Sequence, residues 1–124
     1  MRELQPIIDA VRRASELCLR VQALEVDSSR KGDASIVTIA DYGVQALLCR
    51  TLSHHFPGDA VIAEESGESF LETVPAEARA LTLRLVGELL GESVTEEDFL
   101  RWLAHGRDVR AERTWVIDPI DGTE

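Results

Sequence analysis

Lysine is nearly absent: Lys31 is the only one among 13 basic residues, the rest being arginine. That bias carries no mechanistic weight. Basic charge as a whole is short, with 13 bases against 23 acids, a net charge of −10 and a pI near 4.7. A partner that requires a basic face, such as duplex DNA or an anionic membrane surface, is disfavoured. No apolar run approaches the roughly 20 residues of a membrane span. The opening segment, MRELQPIIDAVRRASELCLRV, places acids and arginines every few positions. It lacks the uninterrupted apolar stretch of a secretory signal. Cysteine is scarce as well: Cys18 and Cys49 stand alone, with no CxxC and no histidine at metal-ligand spacing. Each falls in an amphipathic segment and reads as a small core hydrophobe in preference to half of a disulfide. A cytoplasmic setting, no nucleic-acid partner and no membrane are the resulting expectations. Repeats, low-complexity tracts and obvious linkers are also missing.

What is present is an ordinary globular balance, 44% apolar and 29% charged over 124 residues, enough for one small domain. Leu4, Ile7, Ile8, Val11, Ala14, Leu17, Cys18, Val21 and Leu24 recur at three- and four-residue intervals. The spacing predicts an amphipathic helix over 4–24, with Arg12, Arg13, Glu16 and Arg20 on its wet side. Residues 27–35, DSSRKGDAS, read as a loop. The apolar stretch Ile36-Val37-Thr38-Ile39 reads as strand-like, with Asp41 opening a helix that runs to His55. Phe56-Pro57-Gly58-Asp59 breaks it, and Ala60-Val61-Ile62-Ala63 reads as a buried strand. A third helix is predicted over 76–90, stopped by Gly91. Thr95 with Asp98 forms a capping-box pattern that opens a fourth helix through Phe99, Leu100, Trp102 and Leu103. Arg107 to Arg113 is a charged connector. Trp115-Val116-Ile117 reads as a second buried strand, running into Asp118-Pro119-Ile120-Asp121-Gly122-Thr123-Glu124. Ending on so chemically loaded a turn suggests the N-terminal part of something longer.

Three acidic sites stand out by context. Asp41 opens a helix, Glu64-Glu65 end the first strand, and Asp118 and Asp121 end the second. Carboxylates at the ends of buried strands converge at one edge of a sheet, where α/β proteins bind ligands. Their mutual repulsion is relieved by a divalent cation, and hard oxygen ligands suit Mg²⁺ or Mn²⁺. In the turn, Pro119 stiffens the backbone so that Asp118 and Asp121 can bracket a metal pair. The carbonyl of Ile120 is a further oxygen donor, and Thr123 presents a hydroxyl beside the carboxylates that can help orient and deprotonate a water. Taken singly, Asp41 is a helix cap, Glu64-Glu65 are solvated turn acids, and Asp118-Pro119 is a common turn dipeptide. His54-His55 read as surface or capping residues, His105 as a partner of a helix dipole, and Trp102 and Trp115 as core aromatics.

The combination KGDASIVTIAD, FPGDAVIAEESGE and WVIDPIDGT, in that order, resembles the lithium-sensitive, Mg²⁺-dependent phosphatase superfamily. That superfamily includes inositol monophosphatases, fructose-1,6-bisphosphatases and 3′(2′),5′-bisphosphate nucleotidases. The resemblance runs from Ile7 to Thr123, and W-x-I-D-P-I-D-G-T is its most specific part. The spacing from Asp41 to Glu64 also matches. Two features favour the bisphosphate nucleotidase branch. Alanine precedes Glu64-Glu65 where inositol monophosphatases usually carry glycine, and residues 65–117 make a long connection of the kind into which that branch inserts helices.

The resemblance implies an α/β fold, the layered sandwich of the sugar-phosphatase type, with residues 1–124 its N-terminal portion, cut after DPIDGT. It implies that Glu64, Asp118, the Ile120 carbonyl and Asp121 are metal ligands, for two to three Mg²⁺ ions in a complete site. Asp41 and Thr123 match the catalytic pair that activates the attacking water, and Thr123 would also lie near the scissile phosphate. Glu65 matches a supporting acid. The implied reaction is in-line hydrolysis of a phosphate monoester. The implied substrate is a phosphorylated nucleotide, adenosine 3′,5′-bisphosphate, hydrolysed to AMP, with its 5′-phosphosulfate analogue as a second candidate. The alternatives are an inositol or related sugar monophosphatase, or a non-catalytic fragment that pairs with a second polypeptide. Three departures bear on this. Ile36 replaces a usual proline, Glu124 stands where many nucleotidases carry lysine, and the family's downstream aspartate in a W-D-x-A segment does not occur in this chain. The isolated chain is therefore expected to be inactive or nearly so, and the missing C-terminal half is its expected partner.

Overall fold

The computed structural model describes residues 2–28 and 34–118. A turn of 3₁₀ helix at Arg2–Leu4 leads into α1, Gln5–Ser28. Ala10, Ala14, Leu17 and Val21 of α1 are buried, the stripe expected of an amphipathic helix. Leu4 and Val11, predicted for the same stripe, instead lie open at 39% and 49% exposure. They flank the stripe where nothing among the described residues covers it.

Helix α2 spans Ala34–His55, and here the sequence reading fails. Residues 36–39 are helical, not strand-like, and Asp41 lies inside the helix rather than capping it. β-branched Ile, Val and Thr lower helix propensity only by tenths of a kcal/mol, and tertiary packing overrides so small a preference. Ile39, Ala40, Tyr42, Val44, Ala46, Leu47, Cys49 and Leu52 are all buried, because α2 packs against α1, α4 and α5 at once. A helix buried on several sides shows no clean stripe. Of the loop expected over 27–35, both ends are helical instead, with α1 reaching Ser28 and α2 starting at Ala34, and residues 29–33 lie outside the described residues.

Strand β1, Ala60–Ala63, pairs in parallel with β2, Thr114–Ile117, with Ala60 opposite Thr114 and Ala63 opposite Ile117. Both strands are present as read, but neither is buried throughout. Val61 and Ile117 are covered, while Ile62 and Val116, paired in register, are 61% and 74% exposed. The turn before β1 is tied to the start of β2. Asp59 Oδ2 accepts from Arg113 Nε at 2.6 Å and from Trp115 Nε1 at 2.8 Å. These bonds, that from Trp115 foremost, hold the Asp59 carboxyl below its ordinary value. The Arg113 guanidinium also stacks over Phe56, 4.7 Å from the ring centre.

The crossover between the strands contains three helices. Helix α3, Gly67–Thr73, escaped the sequence reading. Only Phe70 of its seven residues is buried, so periodicity cannot announce it. Ser66 and Ser69 cap it reciprocally. Helix α4 covers Ala76–Leu90 as expected and ends on Gly91 at φ 71°. Helix α5, Glu96–Ala104, opens on the expected Thr95–Asp98 capping box. Phe70 is the hub of the core, with ring centres 5.0 Å from Tyr42 and 4.7 Å from Phe99. Trp102 and Cys49 are buried, Cys18 and Trp115 half-buried, and both cysteines are free thiols.

Candidate active site

Parallel pairing with Ala63 opposite Ile117 makes both strands end at the same edge. Glu64 and Asp118, the next residue of each strand, therefore leave the sheet side by side, and both are exposed. Two neighbouring solvated carboxylates are a hard-oxygen donor pair of the kind Mg²⁺ or Mn²⁺ takes. Among the described residues no three His, Cys, Asp or Glu side chains gather closely enough to hold a metal ion. The remaining predicted ligands, Ile120 and Asp121, and the predicted water-orienting Thr123, lie outside the described residues. What is present fits half of such a centre.

The segment after β1 is held from two sides. Gln45 of α2, fully buried, donates from Nε2 to the Glu65 carbonyl at 2.8 Å. Its Oε1 accepts the Glu65 N–H at 2.9 Å. A buried primary amide is thus satisfied in both senses by one peptide unit's neighbourhood. From the other side, Arg107 donates to the carbonyls of Ala63, at 3.5 Å, and Glu65. One turn further along, the Tyr42 and Ser69 hydroxyls share a 2.5 Å hydrogen bond. Burial keeps the Tyr42 phenol above its ordinary value, so it stays neutral.

Asp41 precedes Gln45 by one helical turn, and residues four apart share a helix face. Half-buried Asp41 therefore sits on the α2 face that carries Gln45. Its charge also reaches α1: the Cys18 thiol is pushed up by burial first and by Asp41 second. Cys18 in turn lines a groove of about 370 Å³ together with Val11, Val44, Leu48, Val116 and Asp118. The groove runs between α1, α2 and β2 and reaches the strand end.

Gln45, Arg107 and Tyr42 were not singled out from sequence. Gln45 had a visible signal, a lone amide in the apolar run from Gly43 to Cys49. Arg107 had none, since nothing local separates it from the exposed arginines of the same connector. His105 departs from the expected dipole role. It ends α5, its Nε2 is buried with no hydrogen-bond partner among the described residues, and burial pushes its imidazole below the ordinary value. His54 and His55 are exposed, as expected.

The layout of helices and a short parallel sheet is consistent with an α/β phosphatase fold. The inositol monophosphatase family matches residues 2–124, and the chain belongs to that family. Among curated relatives, it is 35% identical to a 3′(2′),5′-bisphosphate nucleotidase of Emericella nidulans over 93% of this chain and 36% of the relative. It is 34% identical to the 3′(2′),5′-bisphosphate nucleotidase of Schizosaccharomyces pombe over 98% of this chain and 39% of the relative. A 3′(2′),5′-bisphosphate nucleotidase of Dictyostelium discoideum is 32% identical over 94% of this chain and 36% of the relative. The chain thus spans little more than a third of the length of these proteins. None of its described helices is long and apolar enough to cross a membrane.

Proposed function

We propose that this chain carries the water-activating and metal-holding residues of a phosphomonoesterase acting on 3′(2′),5′-bisphosphate nucleotides. Adenosine 3′,5′-bisphosphate, hydrolysed to AMP, is the first substrate, and its 5′-phosphosulfate analogue the second. The observation that carries the reading is the strand register, which sets Glu64 and Asp118 at one sheet edge. The names of the relatives and the helical crossover α3–α5 between the two acids support the nucleotidase branch.

In this reading Glu64, Asp118, the Ile120 carbonyl and Asp121 would hold Mg²⁺. The cation supplies positive charge for the phosphoryl oxygens and a lowered pKa for bound water. Asp41 takes the proton from the attacking water, and the Thr123 hydroxyl orients it beside the phosphate. Glu65 assists as a neighbouring acid, with its main chain fixed by Gln45 and Arg107. The finer architecture belongs to the same proposal: the α1–α2 pair and the β1–β2 sheet begin a layered α/β sandwich.

The test is phosphate release by the intact protein with Mg²⁺, comparing adenosine 3′,5′-bisphosphate with inositol 1-phosphate. Faster turnover of the nucleotide supports the proposal. Faster turnover of inositol 1-phosphate favours the inositol monophosphatase reading, which the family's own description carries. Release from neither overturns both. Mg²⁺ should also raise the unfolding temperature, by linkage, and Asp118→Asn should shrink that rise. Equal rises in both proteins would refute the metal assignment.

A further inference from the structure

The backbone that carries Glu64 is pinned at both flanks by side chains from distant elements. On one flank, Arg107 holds the Ala63 carbonyl. On the other, Gln45 holds both the N–H and the carbonyl of Glu65, and Arg107 holds that carbonyl too. Glu64 lies between these points. Neither pinning side chain is free to drift. Gln45 is fully buried in α2, and Arg107 is half-buried with its Nε donating to the Leu103 carbonyl at 3.3 Å, at the end of α5. Because Gln45 and Asp41 are one turn apart on α2, the same contact sets the offset between the Asp41 helix and the Glu64 strand end.

We propose that Gln45 and Arg107 are positioning residues: together they form a brace that presents the Glu64 carboxylate to a divalent cation in fixed relation to Asp41. This rests on the reading of Glu64 as a metal ligand. An exposed glutamate on an unbraced loop explores many rotamers and backbone states, and its ordering would have to accompany each metal-binding event. With the two flanking peptides locked, that ordering is already present before the cation arrives.

The experiment measures Mn²⁺ binding to the intact protein by electron paramagnetic resonance, in the wild type, Gln45→Met, Arg107→Lys, Glu64→Gln and Leu85→Ala. Gln45→Met keeps the volume and removes the two hydrogen bonds. Arg107→Lys keeps the charge and removes the forked donor. The expected result is a roughly tenfold rise in the Mn²⁺ dissociation constant for each brace variant, the lower end of what groups supporting metal ligands contribute. Leu85→Ala removes a buried side chain of α4, an element that contributes no residue to the brace, and should lower the unfolding temperature while leaving Mn²⁺ affinity unchanged. The Mg²⁺ concentration for half-maximal hydrolysis should rise in the brace variants, while the substrate KM at saturating Mg²⁺ stays put. If Gln45→Met does not fold, Arg107→Lys carries the test. Wild-type Mn²⁺ affinity in the folded brace variants, beside weakened affinity in Glu64→Gln, would overturn the brace and leave the metal reading standing. Unchanged affinity in Glu64→Gln would overturn the metal reading itself.

Discussion

Alanine at Gly106 should destabilise the protein several-fold more than alanine at Gly91, although the two glycines have nearly the same backbone. Their φ angles are 75° and 71°, the left-handed region. That conformation costs an alanine about 1–2 kcal/mol, of which about 0.5–1 kcal/mol is recovered because alanine narrows the unfolded ensemble. For Gly91 the account stops there, since nothing lies within 4 Å of an added Cβ. A net loss of about 1 kcal/mol is expected. Gly106 differs in its surroundings. An added Cβ would lie 2.6 Å from Val61 Cγ2 and 2.8 Å from both Val61 Cβ and the Val61 amide nitrogen. Val61 is a buried residue of β1 and cannot swing aside. The same amide donates to the Gly106 carbonyl at 3.0 Å, so moving the loop away stretches that bond. Overpacking adds about 1–3 kcal/mol and the weakened hydrogen bond about 1 kcal/mol. The total for Gly106→Ala is about 3–5 kcal/mol. Urea unfolding followed by circular dichroism measures both variants against the wild type. Equal losses for the two would refute the claim that the loop at 106 packs directly onto β1.

Thr95→Ala removes the acceptor for the Asp98 N–H at 3.0 Å and should cost about 1 kcal/mol in the same unfolding assay, with no change as the contrary result. His105 has a folded-state pKa below its ordinary 6.5, so the unfolded chain takes up the proton first. Stability should hold above pH 6.5 and fall as the pH drops below it, and His105→Gln should lessen the decline between pH 7.5 and 5.5; an identical decline in both would refute the assignment. Burial pushes the Cys49 thiol up to about 12, so iodoacetamide at pH 8 should modify Cys49 only after denaturant is added. Peptide mass spectrometry reads this directly, and modification of Cys49 in the native protein would contradict its burial.

How much could be read beforehand differed from element to element. Helices α4 and α5 were legible because their stop and cap signals, Gly91 and Thr95 with Asp98, act within four residues. The first half of α2 was misread because Ile36 to Ile39 is a short β-branched apolar run, which periodicity cannot separate from a strand. Helix α3 was missed because one buried phenylalanine makes no pattern. At the site, Glu64 and Asp118 were visible as acids ending apolar strands. Gln45 and Arg107 were not, because a brace is defined by what it touches.

The sequence by itself determined the kinds of atoms available and the elements whose signals are local: the amphipathic stripe of α1, the capped or stopped helices α4 and α5, where two strands stop, and that both stop on a carboxylate. These follow from neighbours within a turn or two, whose sterics and hydrogen bonds act without regard to the rest of the chain. Tertiary structure alone decided that the strands pair in parallel with Ala63 opposite Ile117, so that acids far apart in the chain end at one edge. It also decided that Gln45 turns inward to the Glu65 peptide 20 residues on, and that Arg107 reaches back 44 residues to the Ala63 carbonyl. Such contacts form only when burial of the core fixes α2, β1 and the end of α5 against one another, and no local preference encodes them.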